Sequence, residues 1–238
     1  SRRVLAASGP VRAVGVALPG IVDRGTGVLV SSPSSGWRNV PFVAMIRDAL
    51  GMSVCEENDV NACALAEARF GSGRGLGSFF WMTVSTGIGG AVIVDGRIAG
   101  GPLSGEIGHL VVNRRGAPCG CGNRGCLEAE ASGPAWRRRA LALLDRADSA
   151  NRGALGMLPR GTIDAKTIAE GARGGDRICL KVAEDVGLML SRGLPAVYNI
   201  LDPDAVFLGG GVAAAFDLLE PVIQRELSNL TLGGRERA

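Results

Sequence analysis

Residues 109–126 hold the chain's only histidine and three of its six cysteines, in the pattern His109-x9-Cys119-x-Cys121-x4-Cys126. Four nitrogen and sulfur donors this close together are the set that a tetrahedral structural Zn2+ takes. A closed Cys3His set leaves no position for water, so the ion would hold a loop and do no chemistry. Disulfides or plain burial are the alternative. Against them, two thiols separated by one glycine are badly placed to bridge each other, and nothing in the chain marks a secretory route. Gly120, Gly122 and Gly125 let the chain wrap tightly round an ion. The expectation is a zinc loop in a reducing compartment, hence the cytoplasm. Glu106 and Glu128 bracket the cluster, and folding it round a metal would bring both acids toward one place. Cys55, Cys63 and Cys179 have apolar neighbours and read as small core residues.

Composition narrows the class. With 46% hydrophobic residues, 21% charged residues and 37 glycines, the chain reads as a loop-punctuated α/β protein, not a disordered one. A net charge of +3 is too small to argue for nucleic acid, and no apolar stretch reaches membrane-spanning length. Arg137, Arg138 and Arg139 follow Trp136 on an expected helix and read as a solvated face.

Strands are expected at Val11 to Leu18, Val28 to Val30, Ser53 to Glu56, Phe79 to Val84, Ala91 to Val94 and Ala205 to Leu208. Helices are expected at Pro41 to Leu50, Asp59 to Phe70, Ser132 to Leu144, Asp176 to Leu201 and Phe216 to Leu227. The helix from Asp176 is apolar on more than one face, which predicts a central position. Asn151 to Gly161 lacks a pattern and reads as surface loop. Strands alternate with helices throughout, which argues α/β.

Three local features could carry chemistry. Asn58-Asp59 follows a short strand and opens a helix, which suits either capping or a catalytic carboxylate. Ser85-Thr86-Gly87-Ile88-Gly89-Gly90 lies between two strands. It is either a plain hairpin or a phosphate cradle of backbone N–H groups, and without a following lysine or helix it is not a P-loop. Gly209-Gly210-Gly211 stands after a strand, where three glycines suit a tight turn or close approach to a nucleotide.

Gly105-Glu106-Ile107-Gly108-His109, followed by Cys119-Gly-Cys121-Gly-x-x-Gly-Cys126-Leu-Glu128, resembles the signature of the ROK family of sugar kinases and sugar-responsive repressors. The resemblance runs from about Val11 to about Leu227. It implies an actin-like, ribonuclease H-like two-lobed α/β ATPase fold, with a smaller lobe over residues 1–62 and a larger one over 63–238. Sugar would lie in the cleft and ATP mainly on the larger lobe. Glu57-Asn58-Asp59-Val60-Asn61-Ala62 matches the family stretch that supplies the general base, which implies Asp59 as base and Asn58 as a sugar ligand. Glu106, His109 and Glu128 would complete the sugar site, although Glu128 could also be a surface acid. Ser85, Thr86, Gly87 and Gly89 would bind ATP phosphates, and Gly209, Gly210 and Gly211 the adenosine side.

The implied activity is phosphorylation of a hexose or N-acetylhexosamine by ATP with Mg2+, glucokinase-like, in a homodimer or homotetramer. The alternative is the sugar-sensing domain of a ROK repressor, the one reading that would involve nucleic acid; a catalytically dead sugar-binding protein is a third. Retention of Asp59 and both glycine turns favours the kinase. Two departures stand out. The family's opening Asp-x-Gly-Gly-Thr motif is not in this chain, and Asp23-Arg24-Gly25-Thr26, inside an expected hairpin, does not replace it. Ser34 stands where many members carry Asn before the Gly-Trp pair.

Overall fold

The structure is a computed structural model that describes residues 11–32 and 35–231. Ser1 to Pro10 and Ser34 lie outside the described residues. The architecture is α/β. Strand β1 (Ala13–Leu18) runs parallel to β5 (Ser53–Asn58), with Ala13 opposite Ser53 and Leu18 opposite Asn58. Strands β2 (Ile21–Asp23), β3 (Val28–Ser32) and β4 (Trp37–Val40) form an antiparallel meander. Helix α1 (Phe42–Leu50) follows and stops at Gly51, whose φ of 64° is the left-handed close that glycine allows.

The third sheet positions the site. Its order is β8-β7-β6-β9, where β6 (Ser78–Val84) pairs antiparallel with β7 (Ile88–Val94) and parallel with β9 (Ala205–Gly209), and β8 (Arg97–Ile98) closes the edge. Side chains alternate across β6 as strand geometry requires. Phe79 faces helix α2 (Asp59–Phe70), packing with Ala64, Ala91 and Ile93. Phe80, Met82 and Val84 face the main helical layer.

That layer comprises α3 (Leu127–Ala131), α4 (Gly133–Arg146), α5 (Ala165–Arg173), α6 (Arg177–Leu201) and α7 (Phe216–Leu230). Helix α6 packs against the other four, and Leu190 and Leu194 lie in the core with Leu127 and Trp136. Its apolar residues on several faces gave the central position correctly. The expected lobe boundary after Ala62 falls inside α2, which is continuous from Asp59 and touches both the β1–β5 pair and the third sheet. No helix among the described residues is long and apolar enough to cross a membrane.

Several expectations are corrected. Strand β7 begins at Ile88, not Ala91, so Gly89 and Gly90 are ladder residues opposite Thr83 and Met82. Gly90 is required because a Cβ there would run into the Phe80 ring. Cys55 and Cys63 are exposed, and Cys179 alone of the three is buried. Cys55 falls on the outward alternation of β5, and Cys63 precedes the inward-facing Ala64 on α2. Residues 149–162 hold three short 3-10 turns. Helix α5 was not anticipated, although Asp164 caps it by accepting from Thr167 N at 2.8 Å.

The arginine run is only partly a solvated face. Arg139 Nη2 lies 2.6 Å from Glu130 Oε2, and Glu130 is 3% exposed. Glu130 Oε1 accepts from Ala117 N at 2.6 Å, so the pair anchors the metal-type loop to α4. Breaking a buried ion pair from one side strands the other charge. Glu130→Ala is expected to cost about 3 kcal/mol in denaturant unfolding, at the low end of that class because Arg139 keeps some solvent contact.

Candidate active site

The Gly-x-x-Gly-His segment lies directly on the backbone of β7. A Cβ on Gly105 would overlap the Gly90 carbonyl, and one on Gly108 would overlap the Ile88 carbonyl. Gly105 also needs its φ of +84°. This contact fixes a 3-10 turn at Ile107–His109 and with it the ring of His109. Gly108→Ala is expected to displace that turn and the His109 ring with it, and to cost about 2 kcal/mol or more in thermal unfolding.

His109 Nδ1 lies 3.7 Å from Cys119 Sγ, and Cys121 Sγ lies 3.7 Å from Cys126 Sγ. One donor atom from each of the four residues falls within 4.8 Å of every other. A zinc tetrahedron with Zn–S near 2.3 Å puts its sulfurs about 3.8 Å apart, so the donor set fits the ion. The Asn123 backbone N–H, then the Cys119 thiol, draws Cys121 down to about 7, whereas burial pushes Cys126 up to about 12. Three thiolates this close need a divalent cation to coexist. The other histidine nitrogen, Nε2, stands 3.8 Å from Glu106 Oε2, facing away from the cysteines.

A cavity of about 800 Å3 gathers Asp59, Ser85, Thr86, Gly87, Gly89, Glu106, His109 and Glu128, with Gly20, Thr83 and others completing the wall. Eight residues singled out from sequence therefore share one wall. Asp59 opens α2 and is exposed to the cavity, its Oδ1 accepting from Val60 N at 3.0 Å. Asn58 does not line this cavity. Its Oδ1 caps α2 by accepting from Val60 N at 2.9 Å and Asn61 N at 3.1 Å, and its Nδ2 donates to Gly20 O at 3.0 Å. The helix cap thus rests mainly on Asn58, and the neighbouring Asp59 reaches the cavity. Glu128 is half-buried and bonded to the glycine turn through Ile88 N at 3.0 Å. Thr83 was missed by sequence reasoning. The Trp81 indole donates to its Oγ1 at 3.0 Å, which frees the Thr83 hydroxyl proton for another acceptor.

A second cavity of about 710 Å3 adjoins the first at Ser85 and Thr86. Arg137, Arg138 and Lys166 line it together with Asp145, Asp164 and Gly211. Burial lowers the Arg138 pKa, and its Nη2 donates to Ala129 O at 2.5 Å. Nothing local in the sequence distinguished Arg137 and Arg138 from a solvated face. The three glycines after β9 divide. Gly209 makes room for the Trp81 ring, Gly210 takes a φ of +93° against the Val84 carbonyl, and Gly211 alone lines the cavity. A Cβ on Gly211 would stand 3.7 Å from Ser85 Oγ, so the two glycine-containing turns meet.

The chain is similar to known proteins in sequence and in fold. A glucokinase from Thermotoga maritima is 38% identical over 209 residues, which are 87% of this chain and 66% of that protein, so the chain spans just under two thirds of that relative. A solved ROK family glucokinase from Streptomyces griseus, in complex with glucose and AMPPNP, has a TM-score of 0.86 at 31% identity, over 100% of this chain and 78% of that one. A solved ROK family transcriptional regulator, a homologue of the E. coli MLC protein, has a TM-score of 0.87 at 28% identity, over 97% of this chain and 58% of that one. The family model for ROK proteins matches residues 4–237, and on that match the chain belongs to the ROK family.

Proposed function

We propose that the protein is an ATP-dependent hexose kinase, glucokinase-like, with sugar in the first cavity and nucleotide in the second. The observation that carries this reading is the junction of the two cavities at Ser85 and Thr86, with a carboxylate on one side and cations on the other. Phosphoryl transfer asks a protein mainly for positioning and for positive charge around the moving group. Asp59 would accept the proton of a primary sugar hydroxyl as that oxygen bonds to the γ-phosphorus. The bond to the β–γ bridging oxygen breaks, and ADP leaves. Backbone N–H groups and hydroxyls of Ser85 to Gly89 would hold the phosphates, with Arg137, Arg138 and Lys166 as nearby charge and Mg2+ accompanying the nucleotide.

Glu106, His109 and Glu128 would accept or share hydroxyl hydrogens of the sugar. Zn2+ on His109, Cys119, Cys121 and Cys126 would hold these groups in register. Asn58 would act chiefly by fixing the start of α2, which places Asp59. On this reading two lobes meet near Asn58–Asp59, as an actin-like fold would have them, and the protein works as a homodimer or homotetramer in the cytoplasm. The support is the donor set and the two cavities, together with a 38% identical glucokinase and a neighbour solved with glucose and AMPPNP.

The likeness to a transcriptional regulator at a TM-score of 0.87 gives the second reading, a sugar sensor. One experiment separates them: ADP release from Mg-ATP by the full-length protein across hexoses and N-acetylhexosamines. Sugar-dependent release supports the kinase and names its substrate. Its absence, with a sugar raising the thermal midpoint, makes the protein a sensor.

A further inference from the structure

One side chain joins the first cavity to the glycine turn. Glu128 stands in the first turn of α3, two residues after the ligand Cys126, and lines the sugar-side cavity. Its Oε2 accepts from Ile88 N at 3.0 Å, at the point where the glycine turn becomes β7. A Cβ on Gly87 would come 2.7 Å from the same oxygen, so the bare glycine lets the carboxylate lie close against the turn. The rest of the turn is fixed by backbone alone. Ser85 N donates to Gly87 O at 2.8 Å, and Gly133 N donates to Ser85 O at 2.7 Å. Glu128 is thus the side chain that ties the turn to the zinc loop.

We propose that Glu128 is a positioning residue for the phosphate turn in addition to being a sugar ligand, coupling hexose binding to nucleotide binding through Ile88 N–H. This rests on the kinase reading above. Ile88 is 4% exposed, so its N–H has little access to solvent and a carboxylate partner is worth more than a water. A carboxylate has lone pairs on both oxygens, so a sugar hydroxyl can be received while Oε2 keeps the turn. Fixing the carboxylate from the sugar side then narrows the positions open to Ser85 and Thr86. The coupling is reciprocal, because a sugar that tightens nucleotide binding must itself bind tighter to the nucleotide complex by the same factor.

The test is the affinity of the full-length protein for Mg-AMPPNP with no sugar present, where a pure sugar ligand has no influence. Glu128→Ala is expected to weaken AMPPNP binding about fivefold to tenfold, the effect of losing one hydrogen bond of ordinary net strength. Glu128→Gln keeps an oxygen that can accept from Ile88 N–H and is expected to stay within about twofold of wild type, while both variants lose hexose affinity. Amide exchange at Ile88 should be slow in wild type and Glu128→Gln and fast in Glu128→Ala. Unchanged AMPPNP affinity and unchanged Ile88 exchange in Glu128→Ala overturn the proposal. If Glu128→Ala does not fold, Glu128→Asp asks the same question, since its shorter arm withdraws the carboxylate from Ile88 N. Wild-type affinity and exchange in that variant overturn the proposal equally. Failure of wild type to bind AMPPNP at all overturns the kinase reading, and the nucleotide coupling with it, whatever the exchange data say of the hydrogen bond.

Discussion

Replacing Asp59 with Asn in the full-length protein is expected to lower kcat for sugar-dependent ADP release by about 10²- to 10⁴-fold, the range that general-base catalysis contributes. Binding of the hexose should change by less than about tenfold, because Glu106, His109 and Glu128 line the same cavity and are untouched. The fold should survive. Asp59 is exposed, and the cap of α2 rests on Asn58, which accepts from both Val60 N and Asn61 N. The amide oxygen of the Asp59→Asn variant could still accept from Val60 N as the Asp59 carboxylate does. What is lost is the capacity to take a proton. A large fall in kcat with little change in sugar affinity is therefore the signature of a base, and near-intact turnover would remove Asp59 from that role. A merely structural Asp59 would instead move the thermal midpoint.

The same dipeptide shows where sequence reasoning stops. Asn58 and Asp59 both suit a helix N-terminus, and local chemistry left capping and catalysis as rivals. The backbone divides the work: Asn58 at extended φ and ψ turns its amide onto the helix, while Asp59, one residue on, lies on the cavity. The metal-type cluster was legible because its information is local, four donor residues with spacing a tetrahedron accepts. Gly105 and Gly108 were visible as parts of a motif, but their reason was not, since it lies in the carbonyls of β7. Arg137 and Arg138 read as solvated because a cavity assembled from α4, the start of α5 and the turns after β6 and β9 leaves no trace at helical spacing. Gly209 to Gly211 show the converse. Three glycines suited either a tight turn or nucleotide contact, and at Gly209 and Gly210 packing against Trp81 and Val84 is by itself a reason for glycine. Position in the sheet decides such cases, and it depends on the parallel β6–β9 pairing across the whole helical layer.

Removing the proposed zinc is expected to have the other large effect, and its pattern follows from the connections of the loop. Cys121→Ser, or prolonged chelation, should take bound zinc from about one ion per chain to about none. Among the three cysteines Cys121 is the exposed one, its pKa drawn down to about 7 by the Asn123 backbone N–H, whereas Cys126 is buried with a thiol pushed up to about 12. Loss of Cys121 thus removes the most readily ionised ligand while leaving the core side of the loop packed. Structural zinc contributes about 10–16 kcal/mol in isolated zinc peptides, where the ion is the core. Here Leu127 and Trp136 are fully buried in the main core, so the damage should stay local and not unfold the domain. Amide exchange should quicken across residues 106–128, while α6 keeps its protection. Hexose affinity should fall by about tenfold or more, since Glu106, His109 and Glu128 all depend on the loop. Nucleotide affinity should fall by a smaller factor, through Glu128 and Ile88 alone. Unchanged zinc content in Cys121→Ser, or a loop equally protected without metal, would remove the structural ion from the account. A sugar site that loosened while nucleotide binding held at its wild-type value would keep the ion and discard the coupling.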